Sequence, residues 1–247
     1  LEQSYRVPVK IQEIANKAME RVSNRRPKTW AARDDEGSVE WCANVNDLDM
    51  GKGSWLVLGR NNYMLKDIQE KCYRDGLVFQ RGTQRSVSER SLTAIRGWES
   101  LRKGETITPS TVKALMFYLR TNKHKVPDDG EWDMEDFRRL WGVVPEKEIW
   151  HEAFTRMGLQ EQMYLLGALQ RGEKITRQPR IKISTIHSAK GGEADNVILY
   201  TEMARRSYID MQAYPDNERR VFYVGATRAK QNLYLIAPTS PFYFAFT

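Results

Sequence analysis

Residues 183–197, ISTIHSAKGGEADNV, place polar side chains and two glycines directly after a short β-branched run. Hydroxyl, imidazole and ammonium groups suit phosphate oxygens, and two adjacent glycines let a backbone come close to a ligand. A carboxylate repels phosphate and is better suited to accept a hydrogen bond from a sugar hydroxyl. The residues concerned are Thr185, His187, Ser188, Lys190, Gly191, Gly192 and Glu193. The segment therefore indicates a nucleotide or nucleic-acid site, whereas helix capping by the hydroxyls and a solvated lysine explain the same spacing equally well.

A second segment, ERRVFYVGATRAK at residues 218–230, combines cations with small residues. Its periodicity predicts a helix with Val221, Val224 and Ala229 on one face. The cations Arg219, Arg220, Arg228 and Lys230 then lie on the other faces. Because small residues precede Arg228, its planar guanidinium could reach a phosphate across an interface, as arginine fingers do. A solvated basic helix is the alternative interpretation.

Composition and charge narrow the class of protein. The chain has 247 residues, 40% of them hydrophobic, and a formal net charge of +7, which favours a polyanionic partner. No apolar run approaches the roughly 20 residues that cross a bilayer, and the first residues do not resemble a signal peptide. We expect Cys42 and Cys72 to be reduced thiols of a cytoplasmic protein. The sequence does not begin with Met, so we expect a piece of a longer protein.

The predicted elements alternate as in α/β proteins at both ends of the chain. The patterns predict a helix from residue 7 to 20, a buried strand at 54–60, a helix ended by Gly76, and a strand at 77–82. Helices are predicted around 88–102, 108–121, 131–141, 146–157 and 160–171, and strands return at 181–186, 196–201 and 232–238. Residues 81–125 carry ten Lys or Arg against three acids, and Asp128–Glu152 reverses that balance. We expect a charged, solvated helical insertion, residues 83–179, within an α/β domain made of residues 1–82 and 180–247.

Four blocks of sequence resemble motifs of superfamily 1 helicases of the UvrD/Rep type, in the order in which that family has them. LEQSYR at 1–6 resembles motif IV, WLVLGRNNYMLKDI at 55–68 resembles the segment after it, and TIHSAKGGEADNV and ERRVFYVGATRAK resemble motifs V and VI. The family commonly has Leu before the motif V acid and an aromatic residue after it, whereas this chain has Gly192 and Ala194. The resemblance implies a RecA-like parallel sheet of the P-loop NTPase fold, the second motor domain of a DNA helicase.

The resemblance also implies roles for individual residues. Arg6 and Arg228 would be the catalytic arginines that reach the γ-phosphate of ATP. Glu193 would contact the nucleotide sugar, and the adjacent Gly192 would belong to the same nucleotide-binding set. Thr185, His187 and Lys190 would lie near the single-stranded DNA backbone or at the link between the DNA and ATP sites, and Arg60 and Asn61 would contact DNA from a turn. The implied partners are ATP with Mg²⁺, single-stranded and duplex DNA, and an N-terminal RecA-like domain of the same parent chain.

One motif of an ATPase is missing from the sequence. No G-x-x-x-x-G-K-[ST] phosphate loop is present, and AARDDEG at 31–37 lacks the apolar strand that precedes a magnesium-binding acid pair. We therefore expect the Mg²⁺ ligands on a domain upstream, and no ATP hydrolysis by this chain alone. The favoured function is the C-terminal half of an ATP-dependent helicase that translocates on single strands, with 3′ to 5′ polarity implied by the resemblance. A helicase-nuclease fragment and a non-enzymatic nucleic-acid binding module are the alternatives.

Overall fold

One mixed sheet organises the chain in the computed structural model, which describes residues 3–25, 30–119, 128–141, 149–189 and 191–246. Seven strands occur in these ranges: β1 (Ser38–Cys42), β2 (Trp55–Gly59), β3 (Phe79–Arg81), β4 (Gln84–Arg85), β5 (Ile181–Thr185), β6 (Ala194–Tyr200) and β7 (Ala229–Ile236). Their order across the sheet is β1-β7-β6-β2-β5-β3-β4, and each strand pair is parallel except β3 with β4. The predicted α/β class with a parallel sheet is confirmed.

Nine helices lie in the described ranges. They are α1 (Val9–Glu20), α2 (Lys66–Arg74), α3 (Glu89–Arg102), α4 (Pro109–Tyr118), α5 (Met134–Trp141), α6 (Trp150–Ala153), α7 (Leu159–Gln170), α8 (Arg205–Ala213) and α9 (Pro215–Ala226). The helix α2 ends where Gly76 adopts a positive φ of 63°, as its sequence predicts. Part of the predicted helix at 146–157 lies outside the described residues, and within the described part only the four residues of α6, in the middle of that range, are helical.

Strand β2 lies at the centre of the sheet and is buried along its whole length. Leu56 and Leu58 pack on one face of the sheet with residues of α1 and α9, including Ile11 and Phe222. On the opposite face, Val57 packs with residues of α2, including Ile68. A strand covered on both faces needs apolar side chains in both orientations, which explains the continuous run of WLVLG.

The chain divides into two compact units. The first contains Leu1–Arg85 and Pro179–Thr247 and holds the whole sheet, and the second contains Ser86–Gln178 with helices α3 to α7. Within the second unit, Trp98 and Tyr118 both pack against Phe154, with ring centroids 6.2 and 5.5 Å apart. This aromatic cluster provides the second unit with an apolar core of its own.

The structure corrects the sequence-based elements at several places, among them the short strand β4, which has no predicted counterpart. Helix α9 ends at Ala226, so Arg228 lies in a turn and Ala229 begins β7 rather than continuing a helical face. The edge strand β1 and helix α8 have no counterpart among the predicted elements.

Within the described ranges, no helix combines the length and apolar character that spanning a membrane requires.

Candidate functional site

The glycine-containing segment after β5 crosses the sheet instead of forming one cluster. Thr185 pairs in register with Gly59 at the carboxyl ends of their strands, whereas Glu193 comes three residues before Asn196, which pairs with Trp55 at the start of β2. At about 3.3 Å per residue, Thr185 and Glu193 are separated by roughly 20 Å along the strand direction. Thr185 and Glu193, which are close in sequence, therefore lie at opposite edges of the sheet, Thr185 at the carboxyl ends of the strands and Glu193 at the amino ends.

At the carboxyl edge, Thr185 closes the turn that follows β5. Its hydroxyl donates to the Ser188 hydroxyl at 3.0 Å and accepts from the Ser188 backbone N–H at 3.3 Å. His187 is exposed beside this turn, while Lys190 lies outside the described residues. The hydroxyls of Thr185 and Ser188 thus stabilise a turn rather than cap a helix, since residues 186–189 form a turn and no helix begins there. His187 remains accessible at the edge where parallel sheets bind ligands.

Arg60 follows β2 at the same edge and makes a bidentate ion pair with Glu218 of α9. Its Nε and Nη2 donate to the two carboxylate oxygens at 2.7 and 2.8 Å. The Glu218 side chain is 8% exposed and that of Arg60 21%. The hydrogen bonds that Arg60 donates to Glu218 raise the pKa of Arg60, in spite of the opposing effect of burial.

Asn61, the next residue, connects this turn to α8. Its side-chain oxygen accepts a hydrogen bond from the Ala204 N–H at 2.8 Å, and its amide donates to the Ser207 hydroxyl at 3.4 Å. Asn61 therefore binds backbone at the start of α8, where unpaired N–H groups need an acceptor. Arg60 and Asn61 both have partners within the chain and both lie at the carboxyl edge.

At the amino edge, Glu193 accepts from two cations of distant segments. Lys230 at the start of β7 approaches it at 2.6 Å, and Arg6, which precedes α1, at 3.4 Å. These partners, chiefly Lys230, hold the pKa of the Glu193 carboxyl below its usual range. The structure brings together two residues predicted at the nucleotide, Arg6 and Glu193, and adds Lys230, which the sequence places on the wrong element.

Arg228 belongs to the same cluster as Arg6 and Glu193, and its Nε donates to no acceptor among the described residues. The Nε atoms of Arg228 and Arg6 are both buried, and neither has a hydrogen-bond partner among the described residues. Burial and the nearby charge of Arg6 lower the pKa of Arg228, which Glu193 only partly offsets. Two guanidinium groups that repel each other, each with an unpartnered Nε, are an arrangement that an anion could stabilise, because it would relieve the repulsion and accept hydrogen bonds from the guanidinium groups.

The helices α1 and α9 explain how residues so distant in sequence meet. They pack against one another on the same face of the sheet, with the start of α1 near the end of α9. At their other ends, Asp216 of α9 accepts from the Ser23 hydroxyl at 2.6 Å and from the Ser23 backbone N–H at 3.1 Å. The pair is therefore antiparallel, which brings Arg6 and Arg228 to one edge of the sheet.

Gly192 lies close to the backbone of the preceding turn and to a side chain of β2. A Cβ atom there would be 3.3 Å from the Ala189 carbonyl oxygen and 3.7 Å from the Leu56 side chain. The segment between β5 and β6 thus passes close over β2 just before Glu193, and the missing side chain of Gly192 permits this close approach.

Sequence reasoning missed Glu218 and Asp216, although two acids in the first turn of a helix are a readable signal of that helix start.

Comparison with known families agrees with the architecture. The profile of the UvrD-like helicase C-terminal domain matches residues 55–240, which is most of the chain. No curated protein sequence matches the chain.

Proposed function

Because the chain belongs to the family of UvrD-like helicase C-terminal domains, we propose that it is the second motor domain of an ATP-dependent DNA helicase. In this proposal the first unit, Leu1–Arg85 with Pro179–Thr247, is the RecA-like domain, and Ser86–Gln178 is the inserted helical subdomain. A domain upstream supplies the phosphate loop. The two edges of the sheet then have different ligands, ATP at the amino edge and single-stranded DNA at the carboxyl edge.

The pair of underused arginines carries the proposal. Arg6 and Arg228 come from opposite ends of the chain, meet at one edge, and each retain a buried Nε without an acceptor. As charge develops on the transferring phosphoryl group, two guanidinium forks would stabilise it more strongly than they stabilise bound ATP. Because both belong to this domain and the phosphate loop to another, they would act only when the two domains close.

Glu193 has a second role in this scheme. In the free chain its carboxylate holds Arg6 and Lys230. We assign it to a hydroxyl of the nucleotide ribose, as acidic residues are used in other nucleotide sites. Mg²⁺, which family members use with ATP, would be held on the domain that carries the phosphate loop, because a hydroxyl of that loop and an acid near it are its usual ligands. That ion would neutralise phosphate charge when bound.

The DNA track would use the carboxyl edge. His187 and Thr185 lie at the end of β5, Arg60 and Asn61 at the end of β2, and these strands are neighbours in the sheet. We include Lys190 in this track from its place in the motif. Hydroxyl, amide and cationic groups at such an edge suit a phosphate backbone, which positions a strand without reading its sequence.

Replacement of Arg228 in the full-length helicase tests the proposal. We expect Arg228→Ala to lower DNA-stimulated ATP turnover by about 10³-fold, because removal of a transition-state guanidinium costs that much in phosphoryl transfer. Binding of single-stranded DNA should stay within a few-fold. Arg228→Lys should rescue little, since lysine lacks the planar fork. The matched control is Arg220→Ala, which removes an exposed arginine of α9, the helix that precedes Arg228, whose guanidinium donates to the Asn24 carbonyl.

Two results would contradict this assignment. Near-normal turnover of Arg228→Lys would make Arg228 a general cation. Loss of DNA binding in Arg228→Ala with intact turnover at saturating DNA would place the residue in the nucleic-acid track. A longer parent protein without a phosphate loop would instead favour a binding module without ATPase activity.

A further inference from the structure

We propose that Glu218 is a positioning residue that transmits occupancy of the DNA edge, through Arg60 and helix α9, to the arginines at the ATP edge. The inference rests on the proposed function, since it needs DNA and ATP at opposite edges of the sheet. Glu218 itself touches neither ligand in this scheme.

The course of α9 is the first observation. The helix spans Pro215–Ala226, and two residues after its end Arg228 lies at the amino edge, directly before β7. Near its start, Glu218 contacts Arg60, which follows the last residue of β2 at the carboxyl edge. Twelve helical residues span about 18 Å. A single helix therefore reaches from one proposed ligand edge to the other.

The geometry of the Arg60–Glu218 pair is the second observation. Two hydrogen bonds of 2.7 and 2.8 Å fix the guanidinium plane relative to the carboxylate, so a change in the orientation of Arg60 must be followed by Glu218. These bonds use Nε and Nη2. Within the described part of the chain Nη1 of Arg60 has no hydrogen-bond partner, which leaves it for a phosphate oxygen of DNA. Arg60 can thus hold DNA and Glu218 at once.

Packing along α9 is the third observation. Phe222 and Ala226 are fully buried against the sheet, and Gly225 brings the helix so near to β6 that an added Cβ would be 3.1 Å from the Leu199 side chain. A tightly packed helix moves as a body rather than bending, because a close-packed interior has discrete arrangements. Displacement at Glu218 is therefore passed to the turn that holds Arg228.

Asp216 provides the matched control, because it is a second acid in the first turn of the same helix. It binds Ser23 and Asn24, beyond the end of α1, and does not contact Arg60. Its replacement disturbs the start of α9 without touching the Arg60 pair. A role of Glu218 that consisted only of holding the helix would be shared by Asp216.

The experiment compares Glu218→Gln, Glu218→Asp and Asp216→Asn in the full-length helicase. ATP turnover is measured without DNA and with saturating single-stranded oligonucleotide, together with DNA affinity and the thermal unfolding midpoint. We expect Glu218→Gln to reduce the ratio of stimulated to unstimulated turnover about tenfold, a typical coupling between sites, with DNA-free turnover within twofold of wild type. Glu218→Asp, which keeps the charge but shortens the reach, should reduce the ratio less. Asp216→Asn should keep the wild-type ratio.

Three results would contradict the inference. Wild-type stimulation in both Glu218 variants, or an equal loss in Asp216→Asn, would overturn it while leaving the proposed function intact. A parallel fall of turnover with and without DNA would show that Glu218 only supports the fold. If Glu218→Gln does not fold, Glu218→Asp against Asp216→Asn decides alone. Absence of any DNA-stimulated turnover in the wild-type protein would overturn the proposed function itself.

Discussion

Arg60, Asn61 and Thr185 show what residue types reveal and what they leave hidden. Their place at or just after the ends of apolar strands predicts the edge of the sheet at which they lie, because the ends of strands are readable from the pattern. Their partners were not predictable. Arg60 binds Glu218, 158 positions away, and Asn61 binds the start of a helix that the pattern does not reveal.

For Glu193, the position itself was predicted wrongly from the sequence spacing. Its closeness to Thr185 in sequence indicates one cluster, but β5 and β6 are parallel, and the connection between them has to return to the opposite edge. The resemblance to a helicase motif assigns Glu193 to the nucleotide, and the structure places it beside Arg6, another residue of that assignment. Neither periodicity nor spacing could have separated the two ends of the motif.

Asp216 allows a test of the contact between α1 and α9 by pH. Hydrogen bonds from Ser23, chiefly from its hydroxyl, lower the pKa of Asp216 to about 2, from an ordinary value of 3.8. A carboxyl whose pKa is lower in the folded state stabilises the fold above its unfolded pKa, and that contribution is lost as the pH falls through the folded pKa. We expect Asp216→Asn to be less stable than wild type at pH 5, with the two urea midpoints converging between pH 4 and 2. Midpoints that stay equally far apart across this range would contradict the assignment.

At the scale of elements, burial decides which parts of the fold were readable. The helix α1 buries Ile11, Ala15 and Ala18 at helical spacing, and its sequence predicts it. No residue of α8 is buried, so no apolar period marks it. Strand β1 pairs with β7 along one side only, and Trp41 in it is 53% exposed, so its sequence resembles a loop. Elements without a buried face leave no hydrophobic pattern to predict from.

Helices α3 and α4 of the second unit offer a test of packing between elements. A Cβ atom at Gly97 would collide with the Thr111 methyl group of α4. We expect Gly97→Ala to lower the free energy of unfolding by about 1–3 kcal/mol, the usual cost of overpacking, even though alanine favours helices. Thr111→Ala removes the colliding atom, so Gly97→Ala should cost less in that background. A double-mutant cycle by urea unfolding measures this coupling, and additive effects would contradict the contact.

At the scale of the whole molecule, the basic segment of residues 81–125 is the main feature of the charge pattern, and the structure describes most but not all of its cations. Ten cations of residues 81–125 predict a nucleic-acid surface, and Arg120, Lys123 and Lys125 lie outside the described ranges. Part of the acidic stretch that follows contacts this basic segment, since Asp128 pairs with Lys113 at 3.1 Å. Sequence indicates the sign of a surface, but contacts such as this one decide how much of its charge is available to a partner.

Arg96 and Lys103, both exposed, test the nucleic-acid role of this segment. We expect the double replacement Arg96→Glu with Lys103→Glu in the full-length protein to reduce the slope of log affinity against log salt by about 1–2, because each lost phosphate contact removes about 0.7–0.9 from it. Fluorescence anisotropy with duplex and single-stranded oligonucleotides measures the slope. Arg171→Glu with Lys174→Glu makes the same change of net charge at exposed positions outside the basic segment. Equal slopes for the two double variants would show that the change reflects net charge alone, and would contradict a nucleic-acid contact by Arg96 and Lys103.

The hairpin of β3 and β4 has a consequence for how chains of this kind can diverge in length. Arg85 pairs with Gln80, which pairs in turn with Lys182 of β5, so the points where the chain leaves and re-enters the sheet are two strand spacings apart, about 10 Å. A segment whose ends are so near can be lengthened, shortened or exchanged without altering the register of any strand. The length of residues 86–178 is therefore not constrained by the strand pairing of the sheet.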